Sequence, residues 1–162
     1  MEVAEKLLEK DPGIRIIHLI RDPRASLSSA LSLGLNDPLE SAANTLCFSM
    51  FRDIKKRKEL ERKFPGRVFQ TRYEDLAERP TETLKRVYRN LDMPLPLPVK
   101  KALTKLVHGR RNLDSFGTVR KDSSATAHAW VKAISKSTAA KIDDVCSALY
   151  PWAGYKKFDL LS

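Results

Sequence analysis

Arg21 closes a short apolar run, and two hydroxyls, Ser28 and Ser29, follow it on what reads as a single helix. The run is Ile14-Arg15-Ile16-Ile17-His18-Leu19-Ile20, short and β-branched, as in a strand buried on both faces. Asp22 offers a side-chain cap and Pro23 fits a first helical turn. A strand that turns at once into a helix leaves free backbone N–H groups and the positive end of the helix dipole at the junction. A cation and short hydroxyls at that point suit an anion, above all a phosphate monoester. Arginine supplies paired planar donors and keeps its charge. On a helical wheel Ser29 lies opposite Leu27 and Leu31, away from the apolar stripe; Ser28 takes its place if the register shifts by one. The plainer alternative is an exposed Ser and a salt-bridged Arg. Arg24 falls in the first turn, where the dipole disfavours a cation, and a bound anion would offset that. Asp22 is sufficiently explained as the cap, so it is given no catalytic role.

Two more segments have residues that could carry chemistry. Arg72-Tyr73-Glu74-Asp75-Leu76 reads as strand end and turn, with a helix from Pro80. On pattern alone Tyr73 is a core aromatic, and Glu74 and Asp75 cap a helix or pair with arginines. Thr118-Val119-Arg120-Lys121-Asp122-Ser123-Ser124, followed by Trp130, puts cations and hydroxyls on a loop that can close over a phosphate from a second side. A polar surface loop is the alternative. His18 reads as a packed strand residue rather than a base. His108 and His128 fall outside these segments, so no catalytic base is assigned.

The elements that must position these groups follow from punctuation and periodicity. Residues 2–10 read as a helix stopped by Asp11-Pro12-Gly13, and Pro23–Leu33 as a helix stopped at Gly34. Pro38 opens a long helix to about Lys63, with Leu39, Ala43, Leu46, Met50 and Ile54 on its buried face. Most of the cations in its second half read as a solvated face. Arg67–Arg72 is a second strand, the Pro80 helix carries Leu84, Val87, Tyr88 and Leu91, and residues 93–98 are extended. Val99–Val107, Ala127–Ser135 and Thr138–Leu149 are helical in pattern, residues 108–125 a long loop, and the aromatic tail packs back on the core. Two strands joined by a helical crossover pair in parallel, and two strands are few for a sheet.

At 162 residues, 42% hydrophobic and 31% charged, the chain has the size and composition of one globular domain. No run approaches the ~20 apolar residues of a membrane helix. The net charge of +10 reads either as a solvated basic surface or as the mark of an anionic partner, and charge does not choose among nucleotide, acidic glycan, nucleic acid and membrane face. Nucleic acid is disfavoured because the aromatics are not interleaved with the basic runs. Cys47 and Cys146 lack metal-type spacing. Free core thiols and one long-range disulfide both stay open, and an oxidising compartment would permit the bond.

The segments resemble those of sulfotransferases, which use 3′-phosphoadenosine 5′-phosphosulfate (PAPS). In that family an Arg at the strand end and a Ser eight positions on bind the 3′-phosphate; here these are Arg21 and Ser29. The Arg-Asp-Pro-Arg-Ala wording is most similar to the Golgi carbohydrate sulfotransferases. Tyr73 to Leu76 resembles a segment whose Tyr lies near the nucleotide. The Arg120, Ser123, Ser124 and Trp130 pattern, and the ending from Cys146 to Gly154-Tyr155, resemble that group's C-terminal part. The resemblance covers about residues 14–158. It implies an α/β, partly P-loop-like fold with a small parallel sheet (strands near 14–20 and 67–72) and many helices, as one domain over 1–162. It implies sulfonate transfer from PAPS to a glycan hydroxyl, with Arg21, Ser29, Tyr73, Arg120, Ser123 and Ser124 on the cofactor. It further implies a Golgi lumenal setting, with membrane attachment only through an anchor that this chain does not carry.

The family begins with a strand and a Gly/Ser/Thr-containing loop for the 5′-phosphosulfate, and no such loop is recognisable ahead of Ile14. The expectation is therefore an N-terminally truncated chain that holds the 3′-phosphate half of the site and does not transfer sulfonate alone. Cys47 and Cys146 are expected close together, and paired if the protein matures in the Golgi. The rivals are a protein-tyrosine sulfotransferase, which shares the Arg-Asp-x-Arg-Ala pattern, and a non-catalytic nucleotide- or glycan-binding module.

Overall fold

The apolar run ahead of Arg21 forms a strand, as its β-branched residues favour. The computed structural model describes residues 1–34, 36–107 and 122–158. A helix α1 (Glu2–Lys10) leads into β1 (Ile16–Ile20), which pairs in parallel with β2 (Val68–Arg72). Ile16 stands opposite Val68 and Ile20 opposite Arg72. The strands start later than the expected residues 14 and 67. The Ile14 carbonyl accepts the Arg67 side-chain Nε at 2.9 Å, and the ladder opens two residues on, where the Ile16 N–H meets the Arg67 carbonyl at 2.8 Å.

The crossover is α2 (Pro23–Ser32) and α3 (Leu39–Lys63). Gly34, at φ +88°, turns the chain out of α2 in a conformation that disfavours a side chain. Tyr73–Glu78 forms a helix, α4, where a turn was expected; Glu74 and Asp75 in its first turn suit the dipole. Next come α5 (Pro80–Asn90) and α6 (Leu97–Val107). The latter takes Pro98 into its first turn rather than leaving it extended, a place where a missing N–H costs little.

The helix expected over 127–135 is two: α7 (Ser123–His128) and α8 (Trp130–Ala133). Asp122 caps α7 by accepting the Ala125 N–H at 2.9 Å. Ile134 is extended, and Ser135 then caps α9 (Lys136–Cys146) through the Thr138 N–H at 3.0 Å. A short α10 (Tyr150–Ala153) ends at Gly154. The expected loop from 108 lies, as far as residue 121, outside the described residues.

The largest apolar cluster packs α2, α3, α9 and α10 around Leu27, Ile54, Ile142 and Leu149. Cys47 and Cys146 sit in it, joined as a disulfide with Cα atoms 5.4 Å apart, within the expected ~7 Å. Leu8, Leu60 and Val68 fasten α1 to α3 and β2. Ala25, Trp130 and Ala139 pack α2 against α8 and α9. Among the described residues no helix is long and apolar enough to cross a membrane.

Candidate functional site

The junction after β1 is held from three sides. Asp22 caps α2 as expected, its Oδ1 accepting the Arg24 N–H at 2.8 Å. The Asp22 N–H donates to Glu74 Oε1 of α4 at 2.9 Å. Arg24 curls back on Asp22 through Nε (3.0 Å) and Nη2 (2.7 Å) and reaches Asp143 of α9 through Nη1 (3.1 Å). All three side chains are buried. The Arg24 guanidinium lies 4.6 Å from the Trp130 ring centroid and 5.1 Å from that of Tyr150. Two carboxylates therefore offset the cation's poor place at the helix start, so a bound anion is not needed there. Burial works against its charge, but hydrogen bonding and attraction from Asp22, with Asp143 adding to it, raise its pKa above the ordinary value.

The same carboxylates bind the C-terminal aromatics. Tyr150 donates its hydroxyl to Asp143, as does the Phe158 N–H, and Tyr155 donates to Glu74 Oε2 at 2.9 Å. Burial pushes both tyrosine pKa values up, and their carboxylate acceptors add to the shift. Neither phenol is poised to ionise.

Arg21 is placed differently. It is half-buried and stacks over the Tyr73 ring, 4.7 Å from the centroid. Its Nε is buried without a hydrogen-bond partner, and it has no carboxylate at ion-pair distance among the described residues. It opens into a cleft of about 540 Å3 that Ser28 and Ser29 also line. Thr126, Trp130 and Ile134 form the facing wall. The cleft thus brings Arg21 and Ser29 together, with Tyr73 behind the guanidinium. Ser28 is not displaced by Ser29; both residues line the space. Ser123 stands apart, buried and donating to the Ala77 carbonyl at 2.7 Å, where it ties α7 to α4. Ser124, half-buried in α7, does not line the cleft. Arg120 lies outside the described residues.

Sequence reasoning missed the depth of Glu74 and the whole of Asp143. On pattern alone Glu74 is a cap or an arginine partner. Nothing local marks Asp143, which meets Arg24 across 119 positions. Thr126 was also missed; its place one turn ahead of Trp130 was the available signal.

A guanidinium without an acid partner among the described residues, lining a cleft beside two serines after a parallel strand, could hold an anion. The donors of a half-buried guanidinium that lines the cleft could pair with phosphate oxygens. The residues present therefore fit a phosphate monoester.

A profile described as "Sulfotransferase family" matches residues 1–96, more than half of the chain, and the chain belongs to that family. It is similar to carbohydrate sulfotransferase 3 of Rattus norvegicus, 28% identical over 92% of this chain and 35% of that protein. It is similar also to carbohydrate sulfotransferase 5 of Mus musculus (26%, covering 96% and 45%) and carbohydrate sulfotransferase 1 of Danio rerio (27%, covering 93% and 41%). The chain spans less than half the length of each of these relatives. No solved structure matches it.

Proposed function

We propose that this chain is the 3′-phosphate-binding part of a PAPS-dependent carbohydrate sulfotransferase of the Golgi lumen. The observation that carries the reading is Arg21: a cation without an acid partner among the described residues, lining a cleft with two serines. Arg21 would pair with the 3′-phosphate, Ser29 and Ser28 would donate to it, and Tyr73 holds the guanidinium in place. Arg120 remains a candidate on the family resemblance; Ser123 has a structural use, and Ser124 does not line the cleft. PAPS, when bound, supplies the sulfonate that passes to the acceptor. The residues on this chain bind and orient rather than react. Holding the 3′-phosphate favours substrate and transition state about equally, and such binding does not itself raise the chemical rate. The carbohydrate group is favoured over a tyrosine-directed one by the names of the relatives and by the Ser-Ser…Trp and Cys…Gly-Tyr endings.

Calorimetric titration of the chain with adenosine 3′,5′-bisphosphate and with adenosine 5′-phosphate tests this. The bisphosphate is expected to bind at least tenfold tighter, as about one charge-assisted contact implies. Equal affinities would reject a 3′-phosphate site.

A further inference from the structure

The cations of α3 fall into two sets. Lys56, Arg57 and Lys63 are held by carboxylates of α1 or of α3 itself: Lys56 by Glu5 at 2.6 Å, Arg57 by Glu61 at 2.5 Å, and Lys63 by Glu5 and Glu9. Arg52, Lys55, Lys58 and Arg62 are exposed and make no ion pair among the described residues. At 3.6 residues per turn these four share one face of the helix with Phe48 and Phe51.

α10 builds a second wall on that face. Trp152 meets Phe51 edge-on, centroids 5.6 Å apart, and Lys58 Nζ sits 4.4 Å from the Trp152 centroid. Lys55 Nζ lies 5.5 Å from that of Phe51. The result is a cleft of about 510 Å3 between Trp152 and the cations Lys55, Lys58 and Arg62. Its two acids are already engaged, Glu59 with Lys56 and Glu61 with Arg57. The positive charge of the cleft is therefore not cancelled from within. None of its residues lines the Arg21 cleft.

We propose that this face is a second binding site for an anionic glycan, a sugar chain bearing carboxylates or sulfates. Four cations along about 15 Å of helix match a linear polyanion better than a single phosphate. The two rings order the lysine ammonium groups that cover them and add apolar area at their edges. Nucleic-acid bases would need open ring faces to stack on, and here lysine ammonium groups cover Phe51 and Trp152. A membrane face would present several apolar tips outward, whereas of the three rings here only Phe48 is largely exposed, at 68%, with Phe51 half-buried and Trp152 38% exposed among four cations. The site would hold the acceptor polysaccharide away from the cofactor cleft. It rests on the carbohydrate reading above.

The test uses the whole chain and a size-defined, sulfated chondroitin hexasaccharide at about 150 mM salt, where diffuse attraction is screened. Lys55→Glu with Lys58→Glu is expected to weaken binding about tenfold, and Trp152→Ala several-fold. Lys85→Glu with Arg89→Glu changes net charge equally on exposed positions of α5 and is expected to change affinity less than twofold. Equal weakening by the two pairs would show diffuse attraction and overturn the site. So would failure of the wild type to bind the hexasaccharide, or binding only to phosphatidylserine vesicles with the same variant sensitivity. Each variant is also titrated with adenosine 3′,5′-bisphosphate, where no change is expected and folding is thereby checked. Loss of nucleotide binding in the wild type would count against the proposed function and leave the glycan result standing.

Discussion

Glu74 joins the two strand–helix junctions: its Oε1 accepts the Asp22 N–H at 2.9 Å, across 52 positions of chain. Its other oxygen takes the Tyr155 hydroxyl at 2.9 Å and lies 3.7 Å from Arg72 Nε. One buried carboxylate thereby fixes the residue after Arg21, the start of α4 under Tyr73, and the C-terminal tail.

Glu74→Ala should destabilise the fold by about 2–4 kcal/mol, because two buried donors lose their acceptor. It should also weaken binding of adenosine 3′,5′-bisphosphate, since both Arg21 and the Tyr73 ring are positioned through it. Glu74→Gln keeps an acceptor for Asp22 and should cost less on both counts. Urea unfolding and calorimetry on the two variants check this; an Ala variant as stable as wild type would show that the junction is held by other contacts.

The Cys47–Cys146 bond closes a separation of 99 residues between α3 and α9. A loop of that size restricts the unfolded chain strongly, worth about 3–5 kcal/mol. Replacing both cysteines by serine should lower the urea midpoint accordingly, and reductant should then have no further effect. Reductant lowering the midpoint of the wild type by less than a tenth of this would contradict the bond's stabilising role.

His18 supplies a pH signal. Burial holds its pKa below the ordinary value, Arg57 and the amino terminus push the same way, and Asp53 opposes them. The unfolded chain therefore takes up this proton more readily than the folded one. Stability is complete above the ordinary histidine pKa of about 6.5 and falls as pH drops below it. Between about pH 7.5 and pH 5.5, wild type should lose more stability than His18→Leu, as read from urea midpoints. Identical losses would mean that His18 is not responsible.

How far the sequence carried depends on how local each signal is. Arg21, Asp22 and Ser29 were legible because strand, cap and helix are contiguous and their geometry follows from spacing alone. The wheel argument leaves Ser28 and Ser29 as alternatives, and both line the cleft. Leu31 falls on the apolar stripe by pattern yet is 37% exposed, at the rim of the cleft. The break between α7 and α8 is set by Trp130 seating on Ala25 and Arg24, a tertiary choice that helix propensity cannot reveal. Arg24 looked like a possible anion ligand because its partner Asp143 lies at the other end of the chain. The same distance hid the network that holds the site.

The account turns on Arg21 as the phosphate-binding cation, and the direct measurement is calorimetric titration of Arg21→Ala with adenosine 3′,5′-bisphosphate against wild type. Removing one charge-assisted phosphate contact should cost about 1.5–3 kcal/mol, a loss of roughly ten- to a hundredfold in affinity. The unfolding midpoint should fall little, because Arg21 has no acid partner among the described residues and its one aromatic contact is with a half-buried tyrosine. An Arg21→Ala chain that folds and binds the nucleotide as tightly as wild type would contradict the assignment.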